Sequence, residues 1–184
     1  YLAYRVNAEI QDRIAEGVLK TLIKGGQETI NNPTNYEARA NMMWSATVAL
    51  SGWINCGIPE DWATHQIGHE LTALHGVDHA RTLAVVMPYL FKVKFDKKKA
   101  KLAQYARRVW DLEGSDDELA EMAIQKTVDF FESMEVPTKA SVYGVDANTI
   151  ATIKQRFTDR KVVWGEHQDI TPEVVEEILN LSIA

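Results

Sequence analysis

At 184 residues the chain is long enough for one domain with a substantial core, and its 46% hydrophobic and 25% charged residues are ordinary for a globular protein. A net charge of −6 argues against nucleic acid as the main partner, and no apolar run approaches the roughly 18–20 residues of a membrane span. The single cysteine, Cys56, rules out an internal disulfide, fits a reducing, cytoplasmic compartment and reads as a small buried apolar residue.

The elements read helical from end to end. Ile10, Ile14, Val18 and Leu22 recur every four residues, with Ala15 and Leu19 beside them, and Gly25-Gly26 is expected to end this first helix. Asn31-Asn32-Pro33-Thr34-Asn35 reads as a loop and cap. A second helix, from about Tyr36 to Cys56, is apolar on most sides, which predicts burial at the centre of a bundle; Trp44, Trp53 and Trp62 are accordingly assigned to the core. Pro59, with Glu60 and Asp61, reads as the start of the third helix, which stops near Gly76.

A further apolar segment begins at Asp78 or His79, and Pro88 is expected to break or kink it. Asp96 reads as the cap of the next helix, with Leu102, Tyr105, Ala106 and Val109 as its apolar stripe. Lys97-Lys98-Lys99 and Lys101 read as its solvated face. Ser115-Asp-Asp-Glu118 forms a capping box for a helix to about Met134, and shorter helices are expected near 147–157 and from Pro172 to Leu181. There is no alternating strand pattern, repeat or low-complexity tract. The expected architecture is one all-α bundle of about seven to nine helices spanning residues 1–184.

Four of the five histidines fall in one window, His65-Gln-Ile-Gly-His69-Glu-Leu-Thr-Ala-Leu-His75-Gly-Val-Asp-His79. Imidazole is the commonest protein metal ligand and titrates near neutral pH. His65 and His69 are four residues apart and share one helical face, while His79 lies just past a glycine where the chain can turn back. Two histidines rarely hold a divalent metal tightly, so the window reads as half a metal site. Glu70 points about 100° away from His69 and reads as structural; His75 is expected to pack near the pocket, and His167 to lie in a polar loop. The H-E-x-x-H, C-x-x-C, G-x-S-x-G, Walker and G-x-G-x-x-G motifs are absent. On spacing alone, a satisfied pair of surface histidines remains the competing reading of His65 and His79.

The run Trp62-Ala-Thr-His65-Gln-Ile-Gly68-His69-Glu-Leu-Thr-Ala73-Leu-His-Gly-Val77-Asp-His79-Ala80 resembles the second signature of the iron-containing (group III) alcohol dehydrogenases. Asn35-Tyr-Glu-Ala-Arg-Ala-Asn-Met-Met-Trp44, Lys101-Leu-Ala-Gln-Tyr-Ala-Arg-Arg-Val-Trp110 and Val136-Pro-Thr resemble the NADPH-dependent butanol dehydrogenase and aldehyde reductase branch. The resemblance implies the C-terminal, all-α, metal-binding domain of a two-domain enzyme. The N-terminal domain, which binds NADP(H) or NAD(H), would be absent. The chain begins at Tyr1, not Met, which agrees with a fragment.

The resemblance further implies a divalent metal, Fe²⁺ or Zn²⁺, held by an Asp, a His four residues later, and two more histidines. His65 and His79 match the last two, and the Asp-x-x-x-His pair is expected just before the position of Tyr1. The implied chemistry is interconversion of primary alcohols and aldehydes, with His69 beside the metal as a proton-transfer residue. The substrate would be a small alcohol or aldehyde and the parent a homodimer, without nucleic-acid or membrane partners. The fragment alone is expected to be inactive. A stand-alone helical binding or scaffold module that keeps the family core without catalysis is the alternative, and a simple histidine-based metal carrier a third.

Overall fold

The computed structural model describes residues 1–3 and 8–184. The fold is all-α. Eight α-helices follow in order among the described residues: α1 (Glu9–Asn31), α2 (Tyr36–Leu50), α3 (Ala63–His75), α4 (His79–Val93), α5 (Phe95–Val109), α6 (Asp116–Ser133), α7 (Ala147–Arg160) and α8 (Pro172–Ile183). Two short 3₁₀ turns, Trp53–Asn55 and Ala140–Tyr143, complete them. The only β pairing among the described residues is an isolated bridge between Trp164 and Ile170.

Local chemistry explains several boundaries. Ser115 and Glu118 form the reciprocal capping box of α6: the Ser115 N–H and hydroxyl both donate to Glu118 Oε2, at 3.0 and 2.6 Å. Asp146 Oδ1 accepts from the Thr149 N–H at 2.8 Å and caps α7, while Pro172 occupies the first turn of α8, where its missing N–H costs no bond.

By internal contacts the chain divides into two compact units, Tyr1–Pro59 with Lys98–Lys126, and Glu60–Lys97 with Thr127–Ala184. In the first, Ala15, Leu102, Ala106, Leu119 and Ala123 are buried. Beside them the buried Glu16 carboxylate accepts from the Tyr1 hydroxyl at 2.9 Å, Gln104 at 3.1 Å and Arg108 at 3.2 Å. Burial alone would raise the Glu16 carboxyl, but these donors outweigh it and hold it below the usual carboxylate range.

Several boundaries and environments differ from the sequence expectation. Helix α1 continues through Gly25-Gly26 to Asn31. Gly25 is where the Met42 side chain approaches α1, since a Cβ there would lie 3.4 Å from its sulfur, so the glycine serves packing rather than termination. Helix α2 is not central: among its residues only Ala38 and Ser45 are buried, and Trp44 is exposed, as is Trp53 just after it. Cys56 is also exposed, with its thiol 3.2 Å from the Gly52 carbonyl. Helix α3 starts at Ala63, four residues beyond Pro59, where the Asp61 carboxylate accepts from the Ala63 N–H at 2.9 Å.

The helix α4 runs through Pro88 without ending. An interior proline costs about 3 kcal/mol. Burial of Val85, Val86, Tyr89, Leu90 and Phe91 around it offsets that cost, at roughly 1.5–3 kcal/mol for each large side chain. Within the lysine run, Lys98 is buried and donates to the Leu2 carbonyl at 3.3 Å, and Lys101 pairs with the buried Asp12 at 2.9 Å. Only part of that run is solvated, because the long stems cover the core while the amines find partners.

The second unit carries the histidine window on α3 and α4. Its core gathers Ile67 and Leu71 of α3, Val85, Val86 and Leu90 of α4, Ile150, Ile153 and Phe157 of α7, and Ile178 and Leu179 of α8. Glu70 ties α3 to α7, its buried carboxylate accepting from Arg156 and Arg160, each at 2.7 Å. Burial alone would raise this carboxyl; the two guanidinium hydrogen bonds outweigh it and lower it from its ordinary 4.5. Its folded-state pKa lies below the unfolded value, so its contribution is complete above about pH 4.5 and is lost as pH falls through the folded value. Glu70→Ala is therefore expected to destabilise the fold by about 2 kcal/mol at pH 7 and by progressively less in acid. Urea unfolding of both proteins at pH 7 and pH 3 measures this; an equal difference at the two pH values contradicts it.

Candidate metal centre

A helical hairpin builds the site. Helix α3 ends at His75 because Gly76 turns the backbone into the left-handed region, at φ +66°, which favours glycine. The Thr72 hydroxyl donates to the Val77 carbonyl at 2.9 Å and fixes the turn, and α4 begins two residues later at His79. The two helices approach closely at Gly68. A Cβ there would lie 2.5 Å from Thr82 Oγ1 and 3.2 Å from Thr82 Cβ, so only glycine fits without a shift. Thr82 is buried and its hydroxyl donates to the His79 carbonyl at 2.7 Å.

This contact brings three of the four window histidines together. His65 Nδ1 and His79 Nε2 lie 3.0 Å apart. The His69 ring stacks on His79, with centroids 4.7 Å apart and planes 7° from parallel, and sits 6.5 Å from His65. Burial, with the His79 and His69 rings beside it, pushes the His65 imidazole below its ordinary value, which favours the neutral form a metal requires.

His75 is not part of the cluster. Its Nε2 lies 2.9 Å from the Thr149 hydroxyl, which in turn donates to Asp146 at 2.9 Å, so it joins the end of α3 to the cap of α7. Glu70 faces its two arginines.

Among the described residues, no group of three or more His, Cys, Asp or Glu side chains is arranged to hold a metal ion. His65 and His79 do fit as two ligands of one. Nitrogens 3.0 Å apart can both lie at the roughly 2.0–2.1 Å of a zinc–imidazole bond, whereas two imidazoles without a shared ion require a matched pair of tautomers. His69 does not complete the set. Imidazole lone pairs lie in the ring plane, and the nearly parallel planes of His69 and His79 do not converge on one ion. The donor set fits half of a metal site.

A groove of about 340 Å³ is lined by Glu60, Trp62, Gln66, Val163, Trp164, Gly165 and Gln168. Trp62 connects it to the histidines, its indole 5.2 Å from the His65 ring and its N–H donating to Glu60 at 2.7 Å. Sequence reading assigned Trp62 to the core, yet it is half exposed. Its place three residues before His65, on the same turn of chain, is the signal that could have found it.

The profile of the Fe-containing alcohol dehydrogenase family, C-terminal, matches residues 1–183. The chain belongs to that family. It is 51% identical over 180 residues to the NADPH-dependent aldehyde reductase YqhD of Escherichia coli, covering 97% of this chain and 46% of that protein. The structure of the substrate- and cofactor-free form of that reductase superposes with a TM-score of 0.95 at 49% identity, over 99% of this chain and 48% of the other. The NADH-dependent butanol dehydrogenase A of Thermotoga maritima superposes with a TM-score of 0.90 at 30% identity, over 97% of this chain and 47% of the other.

The chain thus spans about half the length of the relatives it matches. The all-α fold is that of the C-terminal helical domain of the iron-containing alcohol dehydrogenases, and the family is one of oxidoreductases. No described helix is long and apolar enough to cross a membrane.

Proposed function

We propose that this chain is the helical, metal-binding part of a longer NAD(P)H-dependent alcohol dehydrogenase or aldehyde reductase, in which it follows a nucleotide-binding half. The paired imidazoles of His65 and His79, 3.0 Å apart on the tight α3–α4 hairpin, carry this reading. They hold a divalent ion, Fe²⁺ or Zn²⁺, with further ligands, an Asp and a His, from the preceding half. When bound, such an ion supplies Lewis-acid polarisation of a carbonyl oxygen, and a nicotinamide supplies hydride.

The chain's own residues perform the rest. Gly68 and Thr82 fix the spacing of the two ligands. Trp62 forms an aromatic wall beside His65, its indole 5.2 Å from that ring. His69 is exposed and stacked on His79, with a ring plane that does not converge on an ion held by His65 and His79, so its imidazole can pass a proton between solvent and a substrate oxygen. Small primary alcohols and aldehydes are the substrates, the assembly is a homodimer, and the single cysteine suits a cytoplasmic setting.

Two outcomes follow. The 184-residue chain by itself is expected to reduce no butyraldehyde with NADPH; measurable turnover by the purified chain contradicts the division of labour proposed here. In the full-length protein, His69→Ala is expected to lower kcat by about 10²-fold or more while leaving the metal content unchanged. Steady-state kinetics alongside elemental analysis test this, and a kinetically silent variant removes His69 from proton transfer.

A further inference from the structure

The turn that delivers His79 hangs from the last turn of α3. The Gly76 N–H donates to the Thr72 carbonyl at 2.9 Å, and the Thr72 hydroxyl donates to the Val77 carbonyl at 2.9 Å, so both bonds depend on Thr72 staying helical. Only Gly76, Val77 and Asp78 separate His75 from His79, and of these residues Gly76, Asp78 and His79 are exposed. In the last turn of α3 Ala73 is exposed too, while Leu74 and His75 are half-buried. Helix ends with so little burial fray, and a frayed end here would carry His79 away from His65.

His75 holds that end from the other side. Its Nε2 lies 2.9 Å from the Thr149 hydroxyl. The hydroxyl has one proton and donates it to Asp146 Oδ1 at 2.9 Å, so its oxygen accepts from His75, whose ring is thereby fixed with the proton on Nε2. The Thr149 N–H also donates to Asp146, at 2.8 Å; it and the hydroxyl hold the Asp146 carboxyl below its ordinary 3.8, so the chain of bonds ends on a carboxylate at neutral pH. The far end is rigid. Thr149 is buried, and Ile150, Ile153 and Phe157, which follow it on α7, lie in the core. Helix α3 is thus pinned to α7 twice, in its middle where Glu70 meets Arg156 and Arg160, and at its end through His75.

We propose that His75, Thr149 and Asp146 form a strut that holds the end of α3, and through it His79, where the two ligand imidazoles meet 3.0 Å apart. His75 is a positioning residue: it acts on the metal through the turn and not as a ligand. The inference rests on the functional reading above, in which His65 and His79 share one ion. Contacts that orient the ligands of a metal site act on its affinity by about 10–100-fold.

Zn²⁺ affinity of the full-length protein, by chelator competition, and urea unfolding of the metal-free protein test this. His75→Leu and Thr149→Val are each expected to weaken Zn²⁺ binding by about tenfold or more, and the double variant no further than either alone. Thr149→Val keeps the side chain's shape and the backbone cap on Asp146, so it removes the hydroxyl link alone. His75→Gln can place an amide N–H where the Nε2–H stood and is expected to restore the affinity. His75→Asn, whose amide reaches only as far as Nδ1, is not. A role in packing alone predicts the opposite pattern: lower urea midpoints, unchanged Zn²⁺ affinity and no difference between Gln and Asn. Unchanged affinity in His75→Leu and Thr149→Val, additive losses, or equal losses in His75→Gln and His75→Asn overturns the inference. His65→Ala separates it from the reading beneath it. Loss of Zn²⁺ there with unchanged affinity in His75→Leu contradicts the strut alone. Full Zn²⁺ content in His65→Ala contradicts the ligand pair, and the role of the strut with it.

Discussion

Replacing either His65 or His79 by alanine in the full-length protein is expected to abolish stoichiometric metal binding and lower aldehyde reduction by at least about 10³-fold, since Lewis-acid stabilisation contributes several kcal/mol to such a barrier and each 1.4 kcal/mol is tenfold. The two substitutions should behave alike and should not add, because each removes one nitrogen from the same pair, 3.0 Å apart. Fold stability should change little. His79 is exposed and His65 partly so, and neither fills the core around Ile67, Leu71 and Val85. Elemental analysis, circular dichroism and steady-state kinetics on the same preparations separate these effects. Full metal content in either variant would leave only the satisfied surface pair, the competing reading of these histidines.

Gly68→Ala should be the most damaging single-methyl change in the hairpin. The added Cβ would meet Thr82 Oγ1 at 2.5 Å and Thr82 Cβ at 3.2 Å. Thr82 is β-branched and buried, and its hydroxyl is held to the His79 carbonyl at 2.7 Å, so it cannot swing aside cheaply. The clash must instead push α4 away from α3, and His79 begins α4. Overpacking of this kind costs about 1–3 kcal/mol. Displacing His79 from His65 should also weaken metal binding by about tenfold or more, the scale on which supporting contacts around a metal site act. Gly17→Ala supplies the control: it lies inside α1, nothing lies within 4 Å of its added Cβ, and alanine is the better helix former by about 1 kcal/mol. Chelator competition and urea unfolding of both variants measure the two effects. An unchanged metal affinity in Gly68→Ala would show that the hairpin contact does not set the ligand spacing.

Much of the helical framework was legible because its signals are local. The Ser115–Glu118 box, the Pro172 start and the Gly76 stop each act within a few residues, and the structure places them where local chemistry requires. Pro88 does not break its helix, because its cost is local while the compensation is tertiary, in the buried residues on both sides of it. Gly25 misled for a similar reason: a glycine that admits Met42 looks, in sequence, like one that ends a helix.

The histidine cluster shows the same division. The four-residue spacing of His65 and His69 and the turn before His79 place them together from sequence alone. That His75 would instead serve Thr149, 74 positions away, is a long-range packing outcome with no local sign. Gly68 stands in plain view between the two α3 histidines, yet its role appears only when Thr82 arrives from the next helix. The exposure of α2 is the converse case. Its apolar sequence pointed to a central helix, yet among its residues only Ala38 and Ser45 are buried.

The central claim is that His65 and His79 bind one metal ion together and His69 does not. Anomalous diffraction from crystals of the full-length protein, recorded on either side of the iron and zinc absorption edges, tests it most directly. The expected result is a single peak within bonding distance of nitrogens of both His65 and His79 and outside that of His69. A peak on His69, a peak bonded to only one of the pair, or no peak in protein that turns over aldehyde would contradict it.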